Sequence, residues 1–172
     1  MSEPKPGANP LFLREEELRQ GMELLFYAYR DFTVEADKIL ADLGLGRAHH
    51  RVIYFVGRNP GITVSELLRI LRITKQSLSR VLGDLVRMGY IIQRPGHADR
   101  RQRLLDLTEA GQDLERQLSE RQRRRLARAY REAGADAVEG FRHVLYGLID
   151  DDKRGQAPSV RTETPPMAVR RR

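Results

Sequence analysis

Ile62-Thr63-Val64-Ser65-Glu66-Leu67-Leu68-Arg69-Ile70-Leu71-Arg72-Ile73-Thr74-Lys75-Gln76-Ser77-Leu78 contains two helix starts in quick succession. Thr63 has the character of an N-cap and Glu66 stands three residues on, the spacing of a capping box; Ile62 before the cap and Leu67 after it form a hydrophobic staple. Thr74 repeats the device, with Ile73 before it and Leu78 four residues after it. The spacing predicts one helix from Thr63 to about Ile70 and a second from Thr74 to Met88, stopped by Gly89. Leu78, Val81, Leu82, Leu85 and Met88 make one apolar stripe on the second helix. The short joint Leu71-Arg72-Ile73 turns the pair into a helix-turn-helix.

The period changes after Gly89. Residues 90–94 read as a strand, Pro95-Gly96-His97-Ala98-Asp99 as a loop and residues 102–107 as a return strand, so a small antiparallel wing follows the second helix. Upstream, residues 47–56 form a short helix with Leu45, Val52, Ile53 and Val56 inward, closed by the turn Gly57-Arg58-Asn59-Pro60-Gly61. Before it, Leu18, Met22, Leu25, Tyr29, Phe32, Ala36, Ile39 and Leu43 alternate steps of four and three, a heptad seam that needs a partner helix. Thr108 caps a long helix to about Glu132, and a last helix covers 135–149, with Val138, Phe141, Val144, Leu145, Leu148 and Ile149 on one side. The expected class is mainly α. Residues 1–10 are a flexible N-terminus, 11–46 a dimerisation helix, 47–107 a winged helix-turn-helix, 108–150 further dimerisation helices and 151–172 a disordered tail.

Charge is uneven along this frame. Residues 58–103 carry 10 basic and 3 acidic groups, an excess equal to the net +7 of the whole chain. Such a block marks an electrostatic footprint for phosphate, although a solvated basic face has the same composition. With no cysteine, a disulfide framework, a cysteine zinc site and a thiol switch are excluded. No apolar run reaches the ~18 residues of a membrane span, and no apolar core follows the first residues as in a signal peptide, so a cytoplasmic location without a membrane partner is expected.

The second helix keeps Thr74, Lys75, Gln76, Ser77, Ser79, Arg80, Asp84 and Arg87 off its apolar stripe. Arginine or lysine can read guanine and glutamine adenine in a major groove, and small side chains at Ser77, Ser79 and Gly83 permit close approach to a backbone. In the wing, Arg94, His97, Arg100, Arg101 and Arg103 surround the single acid Asp99. Arginine at a hairpin tip suits a narrow minor groove, and Asp99, two residues before Arg101, can fix that guanidinium.

In Thr63-Val64-Ser65-Glu66-Leu67-Leu68, Thr74-Lys75-Gln76-Ser77-Leu78-Ser79-Arg80, Gly89-Tyr90-Ile91-Ile92-Gln93-Arg94, Asp99-Arg100-Arg101 and Leu107-Thr108-Glu109-Ala110-Gly111, taken in order, the chain resembles the MarR family of bacterial regulators over about residues 11–150. The resemblance implies a homodimer built from the N- and C-terminal helices, two winged modules on a pseudo-palindromic duplex operator, Arg101 in the minor groove and Asp99 orienting it. It also implies release of DNA by a small aromatic ligand at the junction of the dimer helices and the winged module. Phe26, Tyr29, Arg30, His49, His50 and Tyr54 are the candidates there, although residue by residue a dimer core suits the aromatics better and a surface the histidines. No cofactor is expected. No metal is expected either: His49 and His50 are adjacent, about 100° apart on a helix, and cannot easily share one ion. Two other functions stay open, an architectural DNA binder without an effector and a winged-helix adapter for another protein. An enzyme is not expected, because no cysteine nucleophile, metal-ligand cluster, phosphate loop or paired-carboxylate motif is in evidence.

Overall fold

The computed structural model describes residues 11–96 and 101–158 of the chain. After a 3-10 turn at Leu11–Leu13 come α1 (Glu15–Asp42), α2 (Arg47–Arg58), β1 (Ile62–Thr63), α3 (Val64–Leu71), α4 (Lys75–Arg87), β2 (Ile91–Pro95), β3 (Arg103–Leu107), α5 (Glu109–Ala133) and α6 (Ala135–Gly147). The fold is mainly helical with one small antiparallel sheet, as expected. Sequence places a disordered tail from 151; Asp151–Gln156 instead form a 3-10 helix. Residues 1–10 and 159–172, expected to be loose, lie outside the described residues.

Two compact units divide the chain, one up to Arg125 and one from Leu126 onward, with α5 running through the boundary. The core of the first is wider than residues 47–107. It joins Ala36 and Leu40 of α1, Val52, Ile53 and Val56 of α2, Leu67 of α3, the α4 stripe Leu78-Val81-Leu82-Leu85, Ile91 and Leu105 of the sheet, and Leu114 and Leu118 of α5. Helix α1 corrects the expected seam. From residue 33 on, the buried positions are Thr33, Ala36 and Leu40, a stripe set by packing within the chain. Upstream, Leu18, Met22, Leu25 and Tyr29 are 50%, 72%, 49% and 46% exposed, so that half of the seam is left open.

The capping box forms as expected. The Thr63 hydroxyl accepts from the Glu66 N–H at 3.2 Å and donates to Glu66 Oε2 at 2.7 Å, while the Thr63 N–H donates to the same oxygen at 2.9 Å. Thr63→Ala should cost about 1 kcal/mol, read as a lower urea midpoint. The two Thr63 donors, the backbone one first, hold the Glu66 carboxyl below its ordinary 4.5. A lowered folded value means stability present above 4.5 and lost as pH falls through the folded value. The urea midpoint of Glu66→Gln should therefore fall less steeply than wild type between pH ~6 and ~3.

Thr63 also belongs to a strand that the residue pattern does not reveal. β1 is two residues long and pairs with β3, Ile62 opposite Leu105 and Thr63 opposite Leu104, in a sheet of order β1-β3-β2. β2 and β3 pair from Ile91–Leu107 to Pro95–Arg103, which is the expected wing. Gly89, at φ 77°, closes α4: its N–H reaches Val86 O at 3.0 Å and that of Tyr90 reaches Leu85 O at 2.9 Å, so the strand leaves at once.

In the second unit, Tyr130 and Phe141 meet edge to face at 6.2 Å and Arg142 lies 5.9 Å over the Tyr130 ring. No residue of α6 is buried, and Phe141, Val144, Leu145 and Leu148 are exposed.

Candidate nucleic-acid interface

Burial of Leu78, Val81, Leu82 and Leu85 fixes the rotation of α4 and turns Lys75, Gln76, Ser77, Ser79, Arg80 and Arg87 to solvent. These expected site residues do not share one state. Thr74 and Ser77 are engaged at the cap: the Thr74 hydroxyl accepts from the Ser77 N–H at 3.1 Å and donates to Ser77 Oγ at 2.9 Å. Arg87 donates to Asp84 Oδ1 at 2.7 Å. Lys75, Gln76, Ser79 and Arg80 make no hydrogen bond or ion pair among the described residues, so their polar ends face water uncommitted.

Asp84 is a residue that the sequence pattern did not single out beyond its place on the polar face. It is the only acid on α4, and both oxygens are in use. Gly46 N–H donates to His49 Nδ1 at 3.1 Å, so the neutral ring carries its hydrogen on Nε2, which donates to Asp84 Oδ2 at 3.2 Å. The His49 bond, then the Arg87 charge, hold the Asp84 carboxyl below its ordinary value. The start of α2 is thereby tied to the middle of α4.

The wing residues diverge too. Arg94 points its Nε at Asp106 Oδ2, 3.1 Å away on the neighbouring strand, and its Nη2 makes a closer contact with the same oxygen. Its guanidinium is thus held along the sheet. Arg101 and Arg103 are exposed. His97, Asp99 and Arg100 lie outside the described residues.

The six ligand candidates make different contacts within the chain. Arg30 bonds Asp31 and lies over the Tyr27 ring, Phe26 packs edge-on to Tyr27, Tyr54 packs edge-on to Phe55, and His49 turns to α4. Tyr29 instead meets two arginines of α2. Its hydroxyl accepts from Arg51 Nη2 at 3.3 Å, and the Arg47 guanidinium stands 5.8 Å over its ring. Arg47 is anchored by Asp37, through bonds of 2.7–3.1 Å, and by Thr33 Oγ1 at 3.1 Å; the Asp37 bond raises its already high pKa. Burial pushes His50 below its ordinary 6.5, against Asp37 and Glu115, so the positive charge here is the arginines'. The signal for Arg47 and Arg51 was present: Tyr29, Thr33 and Asp37 recur every fourth residue on α1, opposite a pair four apart on α2. The basic run 121–125 makes ion pairs within the chain, Arg121 and Arg125 with Glu35, Arg123 and Arg124 with Glu120. Among the described residues no three side chains group as a metal site requires. None of the helices described is long and apolar enough to cross a membrane.

Helix-turn-helix, three-stranded wing and flanking helices together define a winged helix-turn-helix. The sequence model of the MarR family matches residues 43–102. The chain is 51% identical over 148 residues, 86% of its length and 89% of the other, to the HTH-type transcriptional regulator PetP of Rhodobacter capsulatus. It belongs to the MarR family of transcriptional regulators. Among solved structures, Streptococcus pneumoniae FabT in complex with DNA superposes with TM-score 0.65 at 21% identity, covering 76% of this chain and 94% of that one. A mutant of E. coli MarR complexed with operator DNA gives 0.60 at 22%, covering 83% and 100%. At these identities the two structures show a shared fold.

Proposed function

We propose that the protein is a homodimeric, sequence-specific DNA-binding regulator that acts in the cytoplasm, where the chromosome lies. The observation that carries this is the solvent face of α4. Lys75, Gln76, Ser79 and Arg80 stand uncommitted on a helix capped by Thr74 and held by four buried residues, within the most basic part of the chain. That rigid face suits a major groove, and the wing arginines, Arg101 foremost with Asp99 orienting it, suit the adjacent minor groove. Relatives of the same fold are described in complex with DNA and with operator DNA. Dimerisation is supported by the apolar residues left open on α1 and, separately, on α6. A two-fold pair of modules calls for half-sites about one helical turn, ~10 bp, apart.

Control by a small ligand rests on the Tyr29-Arg47-Arg51 cluster, an aromatic ring beside two guanidinium groups, which fits an aromatic carboxylate or phenolate. The test is selection of binding sites from genomic DNA by the purified protein, repeated with metabolite extract. A recurrent two-fold site, with binding that collapses as salt rises, is expected. Equal affinity for the selected site and for random duplex would leave only a non-specific architectural binder.

A further inference from the structure

Arg72, at φ 55° and ψ 42°, is the one residue other than glycine with a positive φ among the described residues. In that region the Cβ of an L residue crowds the following carbonyl, which is why glycine or asparagine commonly ends a helix this way. The backbone path is required here. Arg72 N–H closes α3 by donating to Leu68 O at 2.9 Å, and the chain must reach Thr74, the cap of α4, two residues later. Nothing in that path requires an arginine side chain, which is exposed and has no hydrogen-bond or ion-pair partner among the described residues.

Two forces can favour a cation at this point. The carbonyl end of α3 is one, and Arg69 in its last turn already supplies a positive charge there. The other is an anion outside the chain. Arg72 stands at the joint of the helix-turn-helix, three residues before the exposed Lys75, and acid is scarce there: Glu66 and Asp84 are the nearest acidic residues in sequence, both engaged by Thr63 and by His49 and Arg87.

We infer that Arg72 is a phosphate-contacting residue of the DNA interface, retained at a strained backbone position for its charge. The inference rests on the proposed DNA binding and extends it from α4 and the wing to the turn between the two helices. Phosphate contact is independent of sequence, so a mixed-sequence duplex is a sufficient probe.

The experiment uses the full chain and a labelled duplex about three helical turns long, ~30 bp, titrated at several salt concentrations. Arg72→Gly relieves the strain and should raise the thermal midpoint by about 2–4 °C. It should also weaken binding roughly five- to tenfold and flatten the slope of log K against log salt by about 1.8, one lost phosphate contact from each subunit of the dimer. Arg72→Lys should keep the slope. Arg72→Gln, strained like wild type, should lose affinity without gaining stability. A glycine variant with wild-type affinity and slope overturns the inference, as does one with no gain in stability. Wild-type protein that binds no duplex at low salt overturns the DNA-binding proposal along with it, so the two failures are distinguishable.

Discussion

Gly111→Ala should cost on the order of 3 kcal/mol and lower the thermal midpoint by roughly 6–12 °C, with no DNA-facing residue altered. A Cβ at residue 111 would stand 2.0 Å from Tyr90 O, 3.0 Å from Tyr90 C and 3.3 Å from Leu107 Cβ. The obstacle is backbone, which cannot swing aside as a side chain can. It is also pinned: Tyr90 O accepts from the Thr108 N–H at 3.0 Å, and the Thr108 hydroxyl donates to Gly89 O at 2.6 Å while accepting from the Gly111 N–H at 3.0 Å. Relief requires α5 to part from the start of the wing, which breaks its cap. Gly83→Ala is the control, because a Cβ there meets nothing within 4 Å and alanine favours helix. Equal midpoints for the two alanine variants, by calorimetry, would show that the approach of α5 to Tyr90 yields readily.

Arg80→Ala should lower affinity for the selected site by about 1–3 kcal/mol, on the order of 5- to 150-fold, with little change on a scrambled duplex of the same length. Arg80 is exposed on a helix whose rotation is fixed by Val81 and Leu82 beside it, and it makes no hydrogen bond or ion pair among the described residues. Removing it breaks no hydrogen bond or ion pair inside the fold and costs only its attraction to the Asp84 charge, so the loss is expected in DNA binding while the thermal midpoint shifts little. An equal loss on both duplexes would make Arg80 a backbone contact. Arg87, in contrast, is tied to Asp84, so Arg87→Ala should have the smaller effect.

Local chemistry made most of this fold legible. Two threonine caps with their staples specify α3 and α4, because a cap is written in adjacent residues and its hydrogen bonds close within one turn. The Leu-Thr-x-x-Gly stretch was legible as a family motif, while its physical reason, the carbonyl of Tyr90 against Gly111, needed the packed chain. The two-residue β1 is too short for any alternation to show. The change of buried stripe on α1 at Thr33 was hidden because heptad spacing does not say which helix, own or foreign, an apolar face meets. At the site, the exposed face of α4 followed from periodicity. The partners of Arg94, His49 and Tyr29 did not, since each lies on another element, and no pattern within one segment reports which donor meets which acceptor.

The pairing of Ile62 and Thr63 with Leu105 and Leu104 makes the residue that opens α3 a member of the wing's own sheet. The spacing between the start of α3 and the hairpin is therefore set at folding, like the jaws of a fixed-gap calliper, and neither can shift without carrying the other.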